Sequence, residues 1–260
     1  MFNHNLDPIV INLGFIAIRW YSLAYIFGII LGWWLAKKII IHLTKNYKFQ
    51  IRSNDFDEYI TYLVISIILG GRLGYVFFYN FEFYSANLLN ILKIWEGGMS
   101  FHGGLIGMIL SIYLFSLKYK LQFFYLSDLV SLVAPIGLFL GRISNFINTE
   151  LYGRVTDFPL AIIYPLIDNN PRHPSQLYEA FFEGIILFII LLFYFSKKPK
   201  KYIIGNISGL FLIFYSIFRF LIEYLREPDY HLGLVFYYFS MGQLLCIPFL
   251  LAGIWILVRK

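Results

Sequence analysis

Charge is scarce in this chain: 14% of its 260 residues are Asp, Glu, Lys or Arg, where a soluble domain carries about 25%. So little polar surface excludes an ordinary water-soluble domain. Cysteine is scarcer still. The single Cys246 excludes an intramolecular disulfide, and its apolar surroundings suit a packed neutral thiol rather than a nucleophile. No glycine-rich nucleotide loop, zinc-ligand spacing or Ser-His-Asp signature occurs, so no cofactor is expected. His4, His42, His102, His173 and His231 are scattered and make no metal site. Residues 1–13 lack a basic n-region, so no cleavable signal is expected. No repeat of about 20–50 residues is visible, and the asymmetric placing of charged residues argues against a duplicated transporter.

What is abundant is apolar sequence, 59% of residues with a mean hydropathy of +0.69. The chain reads as an all-α polytopic membrane protein, a single integral-membrane domain over 1–260. Spans of about 20 residues are expected near 15–36, 59–79, 101–117, 125–146, 177–196, 204–225 and 236–258, about seven in all. Thirteen of the twenty-one basic residues then fall on one side: Lys37, Lys38, Lys45, Lys48, Arg52, Lys118, Lys120, Lys197, Lys198, Lys200, Lys201, Arg259 and Lys260. The positive-inside rule puts that side in the cytoplasm, with the N-terminus outside and the C-terminus inside. The net charge of +6 then needs no nucleic-acid partner. Eight basic residues are left over, within spans or on the outer side: Arg19, Arg72, Lys93, Arg142, Arg154, Arg172, Arg219 and Arg226.

The leftover cations mark the chemistry-bearing stretches. Gly141–Gly153, GRISNFINTELYG, ends an uncharged run with Arg142, Asn145, Asn148 and Glu150. An arginine at mid-bilayer costs about 2.5–3.5 kcal/mol on insertion scales, so it usually marks a site. The alternative is an arginine snorkelling to headgroups while asparagines cap a helix end. Arg19-Trp20-Tyr21 reads most simply as an interfacial aromatic belt. In GGRLGYVFFYN, Arg72 could be buried against a carboxylate such as Glu150. Glycine pairs at Gly28/Gly32, Gly70/Gly74, Gly103/Gly107, Gly137/Gly141 and Gly205/Gly209 suit close helix packing. WEGGMSFHGG places His102 at the start of a span; such a histidine is usually a packing residue, yet it is the side chain best suited to take a proton near neutral pH.

Residues 147–176 form a short outer loop or head. In RHPSQLYE, Ser175 is expected to cap the next helix, and Glu179 to favour its N-terminus. Ser53–Glu58 looks like a polar cap of the second span. Arg219, Glu223 and Arg226 share one helical face, which fits an arginine held by a glutamate with donors left for an anion.

Together WY at 20–21, GGRLGYVFFYN, WEGGMSFHGG, GRISNFINTELYG, RHPSQLYE and FRFLIEYLREPD run nearly end to end, and the chain resembles the bacterial prolipoprotein diacylglyceryl transferases. It departs from the usual signature at Ser144 and Thr149, where that family has glycine or commonly so, and its loop after Gly153 is short. The resemblance implies transfer of a diacylglyceryl group from phosphatidylglycerol to the lipobox cysteine thiol of an exported prolipoprotein, releasing glycerol phosphate, in the bacterial inner membrane. It implies neither metal nor nucleotide, and no nucleic-acid partner. By motif, Tyr21, His102, Arg142, Asn145, Glu150, Gly153, Arg219 and Glu223 form the functional set. His102 is then expected to assist thiol deprotonation, Arg142 and Arg219 to bind phosphate, Glu150 and Glu223 to orient those arginines, and Tyr21 and Asn145 to hold headgroup or glycerol oxygens. A transporter or flippase for an anionic solute or lipid, or another lipid transferase, would use the same buried arginines.

Overall fold

The computed structural model describes residues 2–14, 17–47, 51–197, 204–228, 234–235 and 238–259, with backbone alone at 44–47 and 234–235. Among them six helices are long and apolar enough to cross a membrane: α1 (Trp20–Tyr47, apolar to Leu43), α2 (Ser53–Phe78), α4 (Phe101–Tyr119), α5 (Phe123–Ile147), α6 (Ser175–Lys197) and α8 (Met241–Val258). A shorter apolar helix, α7, covers Asn206–Ile222. α3 (Phe81–Ala86) is a single short helix after α2. In each long helix no more than 33% of the most apolar window is buried within the protein. The outward faces are therefore apolar and suited to lipid, since water would penalise so much exposed hydrocarbon. This is a polytopic α-helical membrane protein. Lys48, Lys198, Lys200, Lys201 and Lys260 from the basic set, together with Asp229 and His231, lie outside the described residues, as do 236–237 of the last expected span.

The helices follow the expected spans, with one clear correction at the start. Residues 17–19 were expected to be helical, but they form β3 (Ala17–Arg19), an antiparallel partner of β2 (Ile9–Asn12). Gly14 sits in the left-handed region at φ +83° and donates to Asn12 Oδ1 at 3.0 Å, a side chain folding the chain back on itself. Hydropathy does not separate such a hairpin from a helix start. Conversely, Ser53–Glu58 is the first turns of α2 itself, with Arg52 at the cap position and bonded to Asp55 at 3.0 Å.

The chain divides into two compact units, 37–127 and 1–36 with 128–260. Within 37–127, α2 packs on α4 through glycines. A Cβ at Gly70 would lie 2.4 Å from the Gly103 carbonyl oxygen, and one at Gly107 2.0 Å from that of Ser66. The two backbones touch, so only hydrogen fits there. Arg72 is 3% exposed, and it is not paired with Glu150. Its guanidinium donates to the carbonyls of Asn90, Ile91, Lys93, Gly97 and Gly98 at 2.5–3.2 Å. Five backbone acceptors use the planar fork fully, which makes Arg72 the tie that folds 87–98 back onto α2.

In the other unit, α7 packs on α8, with Gly209 facing the Gly253 backbone. Buried Asp128 of α5 accepts from Gly205 N and Ser208 N at 2.7 Å and from Ser208 Oγ at 2.6 Å. It satisfies amides at the start of α7 that have no intrahelical partner. β1 (Phe2–Asn3) runs parallel to β4 (Ile162–Ile163), which pairs with β5 (Pro171–Arg172), so the N-terminal segment joins the connection between α5 and α6. Of the expected packing glycines in this unit, Gly28 abuts Gly137, whereas Gly141 meets nothing within 4 Å.

Candidate active site

Six charged side chains of α5, α6, α7 and the turn after α7 come together in one unit. Glu179 and Glu183 of α6 are fully buried, and Arg219, Glu223 and Arg226 are 6–8% exposed. Arg142 keeps 16% of its side chain exposed. Arg142 Nε lies 3.0 Å from Glu179 Oε2, off the line of a hydrogen bond, and donates through Nη2 to Glu183 Oε2 at 3.2 Å. Arg219 Nη1 donates to Glu179 Oε1, and its Nη2 lies 2.7 Å from Glu223 Oε2. Arg226 Nη1 is 3.7 Å from the same oxygen. Glu179 thus bridges the two arginines. Ser240 Oγ, in a capping box with Gln243 at the head of α8, donates to Glu223 Oε1 at 2.9 Å. Buried charges persist where they are paired, and every member of this cluster has an opposite charge within 3.7 Å.

The expected face of Arg219, Glu223 and Arg226 is present. The expected pairing of Arg142 with Glu150 is not. Glu150 is exposed and accepts from Asn145 Nδ2 at 3.0 Å and Asn148 Nδ2 at 3.4 Å. Eight residues of separation, including the end of α5, turn it off the arginine's face. Glu183 was not foreseen, and Glu179 was read as a helix-end acid. The available signal was two acids at i, i+4 spacing in an otherwise apolar span. A π-helical stretch over Ala180–Ile186 contains Glu183; such wide turns are frequent at functional sites.

Glu150 sits in a strained turn. Thr149 and Leu151, on either side, have φ of +60° and +55°, a conformation that costs non-glycine residues about 1–2 kcal/mol each. Neighbours hold it there. Thr149 Oγ1 lies 3.3 Å from His4 Nδ1. Gln176 Nε2 donates to the Glu150 carbonyl at 2.6 Å, and Ser175 Oγ to that of Leu151 at 2.7 Å. Ser175 is therefore a strut rather than the helix cap, a position taken by Pro174. Tyr164 Oη donates to Gln176 Oε1 at 3.2 Å. Gln176→Leu removes the fully buried amide that bonds the Glu150 carbonyl and leaves the buried Tyr164 hydroxyl without its acceptor. It is expected to lower stability by about 1–3 kcal/mol, read as a reduced thermal midpoint in detergent. An unchanged midpoint would remove the strut.

The remaining expected residues are placed as follows. Tyr21 is 37% exposed, its hydroxyl 3.2 Å from that of Tyr25, within electrostatic reach of Glu150 and Arg142. Gly153 bridges Arg226, and a Cβ there would lie 2.4 Å from the His173 carbonyl oxygen, so it permits a backbone crossing. Behind it Arg172 donates to the Gly153 carbonyl at 3.1 Å and grips Asp168 at 2.6 Å. The Arg172 guanidinium holds the Asp168 carboxyl down to about 2. His102 belongs to the unit of 37–127 and is exposed in the first turn of α4.

The arrangement offers planar cations, carboxylates that aim them, and an amide–carboxylate pair at Asn145 and Glu150, all in an apolar setting. Such a set suits a lipid phosphate. The family model described as prolipoprotein diacylglyceryl transferase matches residues 8–259. Curated proteins named phosphatidylglycerol–prolipoprotein diacylglyceryl transferase are similar throughout: that of Rickettsia felis is 52% identical over 98% of this chain and 97% of its own length. Those of Rickettsia typhi and Rickettsia bellii are 52% and 50% identical, over 98% of this chain and 97% and 95% of theirs. The chain belongs to the prolipoprotein diacylglyceryl transferase family.

Proposed function

We propose that this protein transfers the diacylglyceryl group of phosphatidylglycerol to the lipobox cysteine thiol of an exported prolipoprotein, the first step of lipoprotein maturation. The thiol sulfur bonds to the glycerol carbon that carried the phosphate. That C–O bond breaks, and glycerol phosphate leaves with the electron pair. The observation that carries this reading is the buried pair Arg142 and Arg219, bridged by Glu179, in a chain about half identical to transferases of that name. Negative charge builds on the departing phosphate, and preset guanidinium donors stabilise it most where water is excluded.

The roles we assign are these. Arg142 and Arg219 bind the phosphate, with Glu179 and Glu223 aiming them. Asn145, positioned by Glu150, and Tyr21 hold headgroup or glycerol oxygens, and Gly153 keeps the head close to this end of the unit. His102 is the base for the thiol. The whole chain acts as one domain of the bacterial inner membrane, with 147–176 as its outer head and the cytoplasm on the basic side. Membrane lipid surrounds it and supplies the donor.

The direct test is transfer of a labelled diacylglyceryl group to a lipobox peptide by the purified protein in detergent. Labelled peptide and free glycerol phosphate are expected; movement of an anionic solute across vesicles without labelled peptide would favour a transporter. Orientation has its own test. A cysteine placed at Asn169 should react with an impermeant maleimide applied from outside, and one at Lys197 should be protected. The reverse pattern would put the site on the wrong side for an exported substrate.

A further inference from the structure

The buried cluster is charge-balanced among the described residues: Arg142, Arg219 and Arg226 face Glu179, Glu183 and Glu223. A phosphodiester brings another negative charge into this apolar region. The arginines would then neutralise it only by leaving a carboxylate uncompensated, and a buried unpaired charge is costly enough that the group takes up a proton instead. The structure shows which carboxylate is held least. Glu179 contacts both Arg142 and Arg219, and Glu223 contacts two arginines and Ser240. Among the described residues Glu183 is ion-paired with Arg142 alone, through Oε2 at 3.2 and 3.4 Å, and its buried Oε1 has no hydrogen-bond partner. Glu179 Oε2 and Glu223 Oε2 also lack a hydrogen bond but lie 3.0 and 2.7 Å from guanidinium nitrogens.

We propose that this is a proton-linked anion site, in which Glu183 takes up one proton from solvent as a lipid phosphodiester engages Arg142 and Arg219. The inference rests on the phosphate-clamp reading above and adds the proton to it. Solvent reaches Glu183 past Arg142, the most exposed member of the cluster and the one Glu183 shares with the ligand. Once protonated, Glu183 releases the Arg142 fork, and its new O–H has an acceptor in the phosphate or in Glu179. The other groups facing it are Glu179 on its own helix, Arg142 on α5, Tyr215 and Arg219 on α7, and Cys246 on α8, with Glu223 one step further, behind Arg219. Tyrosine and thiol are ordinarily neutral at pH 7, so the three arginines and three glutamates decide the balance.

The test is calorimetric titration of the full-length protein in detergent with dihexanoyl phosphatidylglycerol, without peptide, in two buffers of equal pH and different ionisation enthalpy. The parent should take up about one proton per lipid bound at pH 7, and its affinity should fall up to about tenfold per pH unit across the range where that proton is taken up, levelling off above it. Glu183→Gln, which removes the titrating group and keeps the volume, should bind at least as tightly with uptake near zero. Glu183→Asp, which keeps a carboxyl, should retain the uptake and guards against a folding artefact in the glutamine variant. Saturable binding by the parent with no proton uptake overturns the proposal, and so does parent-like uptake in Glu183→Gln. Absence of saturable binding by the parent instead overturns the phosphate clamp itself, and the linkage with it.

Discussion

Arg142→Lys and Arg219→Lys are each expected to insert and fold yet lose transfer activity by about 10²–10³-fold, the size seen when one preset donor to a developing oxyanion is removed. The structure sharpens why lysine fails. Arg142 touches Glu179 through Nε and Glu183 through Nη2, while Arg219 spans Glu179 and Glu223 with two different nitrogens. A lysine ammonium keeps the charge but is a single point without the planar fork. It can satisfy one carboxylate and cannot simultaneously keep a second partner and a phosphate in fixed geometry. Leucine at either position would strand buried glutamates, and breaking a buried pair in this way costs about 3–5 kcal/mol, so folding would confound the result. The loss in the lysine variants should appear in donor-lipid dependence and in the chemical step, with lipobox-peptide binding retained. If both transfer diacylglyceryl within a few-fold of the parent rate, the arginines are structural and the phosphate is bound elsewhere.

The helices were legible because membrane spans are coded by composition over about 20 residues, a signal that survives shifts of several positions at each end. The hairpin before Trp20 was not, because the uncharged apolar run over 13–18 leads straight into α1, and only Gly14 marks the reversal. The same distinction runs through the site. Arg219 and Glu223 were legible as partners since i, i+4 spacing puts them on one helical face. Arg142 could not be assigned its glutamates, since these lie 37 and 41 residues away on another helix, and contact between helices depends on rotation and crossing that no local pattern records. Nearness in sequence suggested Glu150, but the end of α5 and the left-handed residues Thr149 and Leu151 carry it onto Asn145 instead. Arg72 shows the converse: an intramembrane arginine that looked like half of an ion pair spends its donors on five backbone carbonyls.

His102→Gln is expected to lower turnover at pH 7 by about 10²–10⁴-fold, the usual worth of general acid–base help, with donor-lipid binding little changed. The histidine is exposed in the first turn of α4, where Ser100 caps the helix by accepting from Gly103 N at 3.2 Å, and its ring meets Phe101 edge-on at 5.6 Å. Removing an exposed ring from such a position shifts stability by about 0.5 kcal/mol or less. A large loss of rate therefore cannot be attributed to misfolding, and the thermal midpoint of the variant checks this directly. The pH profile then separates a base from a mere contact. An unassisted thiol with pKa near 8.5 is about 3% thiolate at pH 7 and about 75% at pH 9, and thiolate is the nucleophile. If His102 supplies the deprotonation, the glutamine variant should recover about 25-fold over that interval while the parent rises far less. A variant that is slow at pH 7 but keeps the same deficit at pH 9 places His102 in substrate positioning rather than proton transfer. One that transfers at the parent rate at pH 7 removes it from the reaction, and the base must then be sought among the groups facing the phosphate.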